Sequence, residues 1–156
     1  MKIEICTGYG LTEVGSVAQT LYPDEEQHIL ETIGQVLPEA EVKIVNEMRE
    51  PLPFGQVGEI ACKGFGPMKG YYNAPELTRQ AFDIEGWFYT GDLGTLDEAG
   101  YIRFVGRKKE LIIRGGYNIY PQEIEGKLYE HPKILRLPLS GCLTLSWESL
   151  SAQRLN

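Results

Sequence analysis

A chain of 156 residues with 42% hydrophobic residues and nine tyrosines can bury a core of its own and is not composed like a disordered segment. Its formal charge of -7 argues against a general nucleic-acid binder, whose phosphate contacts need an excess of lysine and arginine. Cys6, Cys62 and Cys142 form no CxxC pair and no disulfide framework, and neither a signal peptide nor a long apolar span is read, which makes the cytosol the expected compartment.

Residues 1–22 alternate poorly around a turn in GYGLTEVGS, and 23–35 are polar and acidic, as in a surface loop. His28 and His131 are read as surface residues, too far apart for a histidine metal site or a hydrolase triad. EVKIVN (41–46) and GEIACKG (58–64) are short β-branched runs, and REPLPFGQ between them is punctuated by Pro51, Pro53 and Gly55. Two more extended runs, WFYTGDLGTLD and YIRFVGR, flank DEAG at 97–100, a hairpin turn with Gly100 available for positive φ. Helices are expected at APELTRQAF, with Pro75 near its start, and from Pro121, where Ile124 and Leu128 give an i, i+4 apolar face.

Two local features invite over-reading. GFGPMKG (64–70) looks like a phosphate loop, but YYNAP follows where a helix is needed, so a turn is the better reading. Arg107, Lys108 and Lys109 with Arg114 form a basic run, yet beside Glu110 and Glu123 it reads by itself as a solvated face.

Taken together and in order, YGLTE (9–13), PMKGYYNAPELT (67–78), WFYTGDLG (87–94) and GRKKELIIRGGYNIYPQEIE (106–125) resemble successive core motifs of the adenylate-forming superfamily. That superfamily includes acyl-CoA synthetases, firefly-type luciferases and the adenylation domains of peptide synthetases; NIYPQEIE looks most like the acyl-CoA synthetase branch. The resemblance implies that the carboxylate of a small-molecule carboxylic acid attacks the α-phosphate of ATP to give an acyl adenylate and pyrophosphate. A thiol, usually coenzyme A, then takes the acyl group and AMP leaves. It also implies an α+β, β-rich fold: part of a large AMP-binding domain over 1–105, with a β-barrel-like subdomain from about 33, a hinge at 106–110, and the start of a small mobile C-terminal domain at 111–135.

Residue roles follow from the same resemblance. Glu13 matches the family's Mg2+ carboxylate, and a hard oxygen ligand is what that ion requires. Thr12 would place a hydroxyl on phosphate, and Tyr9 would pack against adenine. Asp92 matches the aspartate that accepts hydrogen bonds from both ribose hydroxyls, Arg107 an arginine that also reaches the nucleotide, and Lys109 the hinge residue. Gly115 and Gly116 would let backbone approach the pantetheine arm of coenzyme A. Taken singly, each has a plainer reading: a capping glutamate, a turn aspartate between Gly91 and Gly94, a hairpin after LIIR.

The family's Ser/Thr/Gly-rich phosphate loop, which belongs well before YGLTE, and its C-terminal lysine have no counterpart here; Lys127 and Lys133 come too early. The expectation is therefore a truncated piece, inactive by itself, whose bare apolar surface offers self-association. The alternatives are a non-catalytic β-rich module that binds a nucleotide or a partner protein, or a structural piece with no ligand. Residues 136–156 depart from the family: RLPLSGCLTLSWE, 13 residues from Arg136 to Glu148, is also what a family-like coding string for AAAVVGVPDSVLGE spells when its first base is dropped. A frameshift near Leu135 is the expectation. The acyl substrate is not legible.

Overall fold

The computed structural model describes residues 5–21, 23–134 and 139, so the expected non-family tail lies outside the described residues apart from Leu139. The chain divides into two compact units, Met1–Leu111 and Ile112–Asn156.

The strands of the first unit pair antiparallel. Strands β1 (Gly8–Leu11), β2 (Gly15–Gln19) and β3 (Gln35–Val36) form one sheet in that order, and β4 (Glu41–Val45), β5 (Gly58–Lys63), β6 (Phe88–Leu96) and β7 (Ile102–Arg107) form a meander. The β-branched residues of β4 and β5 suit a pleated, half-buried surface, and the pair runs in continuous register from Glu41↔Lys63 to Val45↔Glu59. Between β6 and β7, Asp97 Oδ1 accepts the Tyr101 N–H at 2.8 Å while Gly100 takes φ 86°, so the expected DEAG turn forms. Helix α1 covers Glu26–Glu31 and α2 Pro75–Ala81, with proline in the first turn of α2. β7 runs into a 3-10 turn at Lys108–Glu110.

The two sheets meet edge to edge. The Ile33 N–H donates to the Ile102 carbonyl at 2.9 Å, the Ile102 N–H to Gly34 at 3.0 Å, and the Val36 N–H to Gly100 at 2.9 Å. β3 thus runs beside β7 as well as β2. Two apolar clusters fill the inner face: Val14, Val17, Cys62 and Phe88 form one, and Ala18, Ile44, Ile60 and Ile102 the other, with Tyr9 and Val42 packed against both. Each large side chain buried there contributes about 1.5–3 kcal/mol. The opposite face of the meander is covered differently: the ammonium groups of Lys43 and Lys63 stand 4.1 and 4.6 Å from the Trp87 ring, and the Arg49 guanidinium 3.9 Å from Tyr89. Cationic stems there shield aromatic surface without a second apolar layer.

Two features differ from what the sequence leads one to expect. The acidic stretch expected as a loop contains α1, which buries no residue and is held from outside by an Arg103–Glu31 ion pair at 2.7 Å. His28, expected at the surface, is half-buried, its ring stacked on Tyr101 with centroids 3.9 Å apart.

The second unit contains a hairpin, β8 (Ile112–Arg114) and β9 (Tyr117–Ile119), then α3 (Pro121–Tyr129). Gly115 and Gly116 form its two-residue turn at φ 59° and 83°, the positive values that a tight hairpin of this twist requires. Pro121 is buried at the first turn of α3, whereas Ile124 is exposed and Leu128 half-buried. The β-rich α+β class expected from the sequence is the class observed.

Candidate functional site

The site grows from an irregularity in the meander. Pairing of β5 with β6 slips between Glu59 and Ala61, and Gly91 on β6 takes φ 73°. At this bulge the side chains replace lost ladder bonds. The Thr90 hydroxyl donates to the Ile60 carbonyl at 2.8 Å and accepts the Asp92 N–H at 3.0 Å, while the Gly91 N–H donates to Glu59 Oε1 at 3.0 Å.

Asp92, the residue this bulge presents, is 9% exposed. Its Oδ2 accepts the Tyr9 hydroxyl at 2.8 Å, and its Oδ1 lies 3.5 Å from Nε of Arg107, its register partner on β7. Burial, and after it the Asp92 charge, push the Tyr9 hydroxyl up, so Tyr9 stays a donor. The same two causes push the buried Cys62 thiol up to about 12, which removes it as a nucleophile near neutrality. A cavity of about 560 Å³ opens here, lined by Leu11, Thr90, Gly91, Asp92, Arg107, Lys108 and Lys109. One nearly buried carboxylate shares the cavity lining with Arg107, Lys108 and Lys109. Such a wall pairs an acceptor for hydroxyls with positive charge for phosphate.

The other sequence candidates fall in different places. Thr12 is exposed in the β1–β2 turn. Glu13, beside it, is half-buried; it accepts the Tyr71 hydroxyl at 2.9 Å, and its carbonyl accepts the Met68 N–H at 2.8 Å. These two bonds tie the 9–13 motif to the 67–78 motif. Neither Thr12 nor Glu13 lines the cavity. A single carboxylate suits Mg2+, which is commonly held by one or two carboxylates plus substrate phosphate; no three His, Cys, Asp or Glu cluster together among the described residues. Tyr9 has its ring packed against both apolar clusters and its hydroxyl on Asp92. An added Cβ at Gly115 or Gly116 would meet nothing within 4 Å, so their need for glycine here is conformational.

Two participants escape a reading of the sequence. Tyr71 anchors Glu13 from 58 residues away, and Glu59 supports Gly91 from 32 residues away. Strand register brings Glu59 to Gly91 and loop packing brings Tyr71 to Glu13, although Glu59 does carry a signal of a kind, as a carboxylate inside a strand whose neighbours Ile60, Ala61 and Cys62 are buried.

Residues 1–72 match the family described as AMP-binding enzyme. A putative acyl-CoA synthetase, YngI, of Bacillus subtilis (strain 168) is 44% identical over 140 residues, which cover 88% of this chain and 26% of that protein. The medium-chain fatty-acid–CoA ligase of Escherichia coli (strain K12) is 44% identical over 132 residues, 85% of this chain and 23% of that one. Among solved structures, O-succinylbenzoate coenzyme A synthetase (MenE) from Bacillus subtilis in complex with AMP superposes with TM-score 0.80 at 35% identity, over 90% of this chain and 29% of that chain. ATP-bound MatB from Rhodopseudomonas palustris gives 0.76 at 37% identity, over 82% and 25%. The chain thus spans about a quarter of the length of the curated relatives it matches.

Proposed function

Because the chain belongs to the adenylate-forming, AMP-binding enzyme family, on its acyl-CoA synthetase branch, we propose that it supplies the nucleotide-binding part of an ATP-dependent carboxylate–CoA ligase. The observation that carries this is Asp92, a nearly buried carboxylate facing a cavity lined by Arg107, Lys108 and Lys109. In this reading Asp92 accepts hydrogen bonds from both hydroxyls of the ribose. A carboxylate offers about four lone-pair directions, so the Tyr9 hydroxyl and a vicinal diol can share it. Arg107 donates toward the nucleotide without vacating its place beside Asp92.

Glu13 holds Mg2+ with the phosphates, and the ion, when bound, neutralises charge on the phosphoryl oxygens. Tyr71 keeps one Glu13 oxygen fixed for that task. Thr12 offers its exposed hydroxyl to phosphate, Lys109 is the pivot of the hinge at 106–110, and Gly115 and Gly116 lie along the pantetheine arm of coenzyme A. The domain limits follow the same assignment: a large-domain portion to 105 and the start of the small domain from 111.

Titration of the 15N-labelled chain with AMP tests this reading. Amide resonances of Gly91, Asp92 and Arg107 are expected to move together and saturably, and AMP in millimolar excess that moves none of them would overturn the assignment. A second expectation concerns catalysis. Preorganised phosphate ligands supply a large share of barrier reduction in such transfers, and the 156-residue sequence contains neither the family's phosphate loop nor its C-terminal lysine. The chain by itself is therefore expected to give no carboxylate-dependent pyrophosphate release above a no-protein blank; release proportional to protein concentration would refute this.

A further inference from the structure

We propose that Glu59 is a positioning residue that couples the Asp92 bulge to the segment leaving β7. Its side chain is 11% exposed and both its oxygens are engaged: Oε1 accepts the Gly91 N–H at 3.0 Å, and Oε2 accepts the Lys108 ammonium at 2.9 Å. A ladder bond on an antiparallel strand joins neighbours; this carboxylate instead spans β5, the β6 bulge and the first residue of the 3-10 turn, Lys108.

The chemistry explains why a glutamate stands there. The bulge leaves the Gly91 N–H without a ladder partner, and an unmet buried donor is costly. A neutral amide would satisfy that donor with its one oxygen, whereas a carboxylate has a second oxygen for an ammonium and its charge strengthens that bond. With both bonds on one group, withdrawing Lys108 frees the carboxylate to rotate, which loosens the Gly91 bond and with it the backbone that presents Asp92. Lys108 lies within 106–110, so a change in the backbone of that segment acts on this bond. Glu59 thereby transmits the posture of that segment to the carboxylate that grips the nucleotide. The use of the coupling rests on the nucleotide reading; the coupling itself does not.

Per-residue amide hydrogen exchange on the full chain decides the matter. Glu59→Ala is expected to speed Gly91 exchange about tenfold or more, while the Leu52 and Ile102 amides, bonded to Ile44 and Gly34, keep their rates. Glu59→Gln, whose single amide oxygen can still accept the Gly91 N–H but which loses the charged bond to Lys108, should speed Gly91 exchange less than Glu59→Ala and about as much as loss of the Lys108 ammonium. The decisive variant is Lys108→Met, which does not touch Gly91: it should speed Gly91 exchange roughly threefold or more, and Lys108→Arg should restore it. If Lys108→Met leaves Gly91 unchanged, or speeds Leu52 and Ile102 equally, the coupling is wrong. An AMP titration in parallel separates the two ideas: a wild-type chain that ignores AMP counts against the nucleotide reading, and the Gly91 rates still decide the coupling.

Discussion

Gly34→Ala is expected to lower the unfolding free energy by on the order of 3–5 kcal/mol, enough to unfold the first unit if its stability lies at the low end of the usual range of about 5–15. Gly34 takes φ 106°, and an added Cβ would lie 2.1 Å from the Gln19 carbonyl carbon and 2.4 Å from the Thr20 nitrogen. Both neighbours are backbone at the end of β2 and the residue after it, so no flexible side chain can move aside. The strained backbone costs about 1–3 kcal/mol, and forcing the strands apart about as much again. The damage also falls on the line where the sheets meet, because the Gly34 carbonyl accepts the Ile102 N–H. Gly86→Ala is the control, since Gly86 takes φ 85° with nothing within 4 Å of the added carbon; strain without a clash there costs about 1 kcal/mol. Denaturant midpoints of the two variants measure the gap. Equal midpoints would mean that the close approach at Gly34 carries no cost.

Asp92→Ala is expected to weaken AMP binding by about ten- to a hundredfold, because hydrogen bonds to a charged group are worth about 1.5–3 kcal/mol and every 1.4 kcal/mol is tenfold. The variant also removes the acceptor of the Tyr9 hydroxyl, which sits among apolar neighbours. Some stability is lost for that reason, and binding must be compared below the unfolding transition. Asp92→Asn keeps the volume and one acceptor, so it should retain more affinity than alanine while losing the pairing with Arg107. Calorimetric titration of the three proteins checks this; equal affinity in all three would exclude Asp92 from the ribose.

The meander and two of the helices were legible because their signals are local: β-branched runs in β4 and β5, Asp97 and Gly100 in the turn, proline at the starts of α2 and α3. Asp92 and Arg107 were legible through a motif, and they prove to be partners across β6 and β7. What escaped depends on distant pairing. Helix α1 buries none of its residues and has no side-chain cap, so neither periodicity nor a capping signature marks it. In β2 the adjacent residues Val17 and Ala18 are both buried, which breaks the alternation that announces a strand. Glu59 and Tyr71 look like ordinary polar residues until a strand 32 positions away supplies Gly91 and a turn 58 positions away supplies Glu13.

The placement of β3 beside β7 fixes something further, the curvature of the whole strand array. From β3 the chain must reach β4, the far edge of the meander, through only Leu37, Pro38, Glu39 and Ala40. Five residue steps from Val36 to Glu41 reach at most about 18 Å, whereas crossing four inter-strand spacings on a flat sheet would take roughly 19 Å. The Ala40 N–H folds back onto Leu37 at 2.9 Å, which shortens the reach again. The array has to curl until β4 approaches β3. That is why Val17 of the first sheet and Cys62 of the second share one cluster, and why a connector of four residues acts as the drawstring of a barrel-like wall.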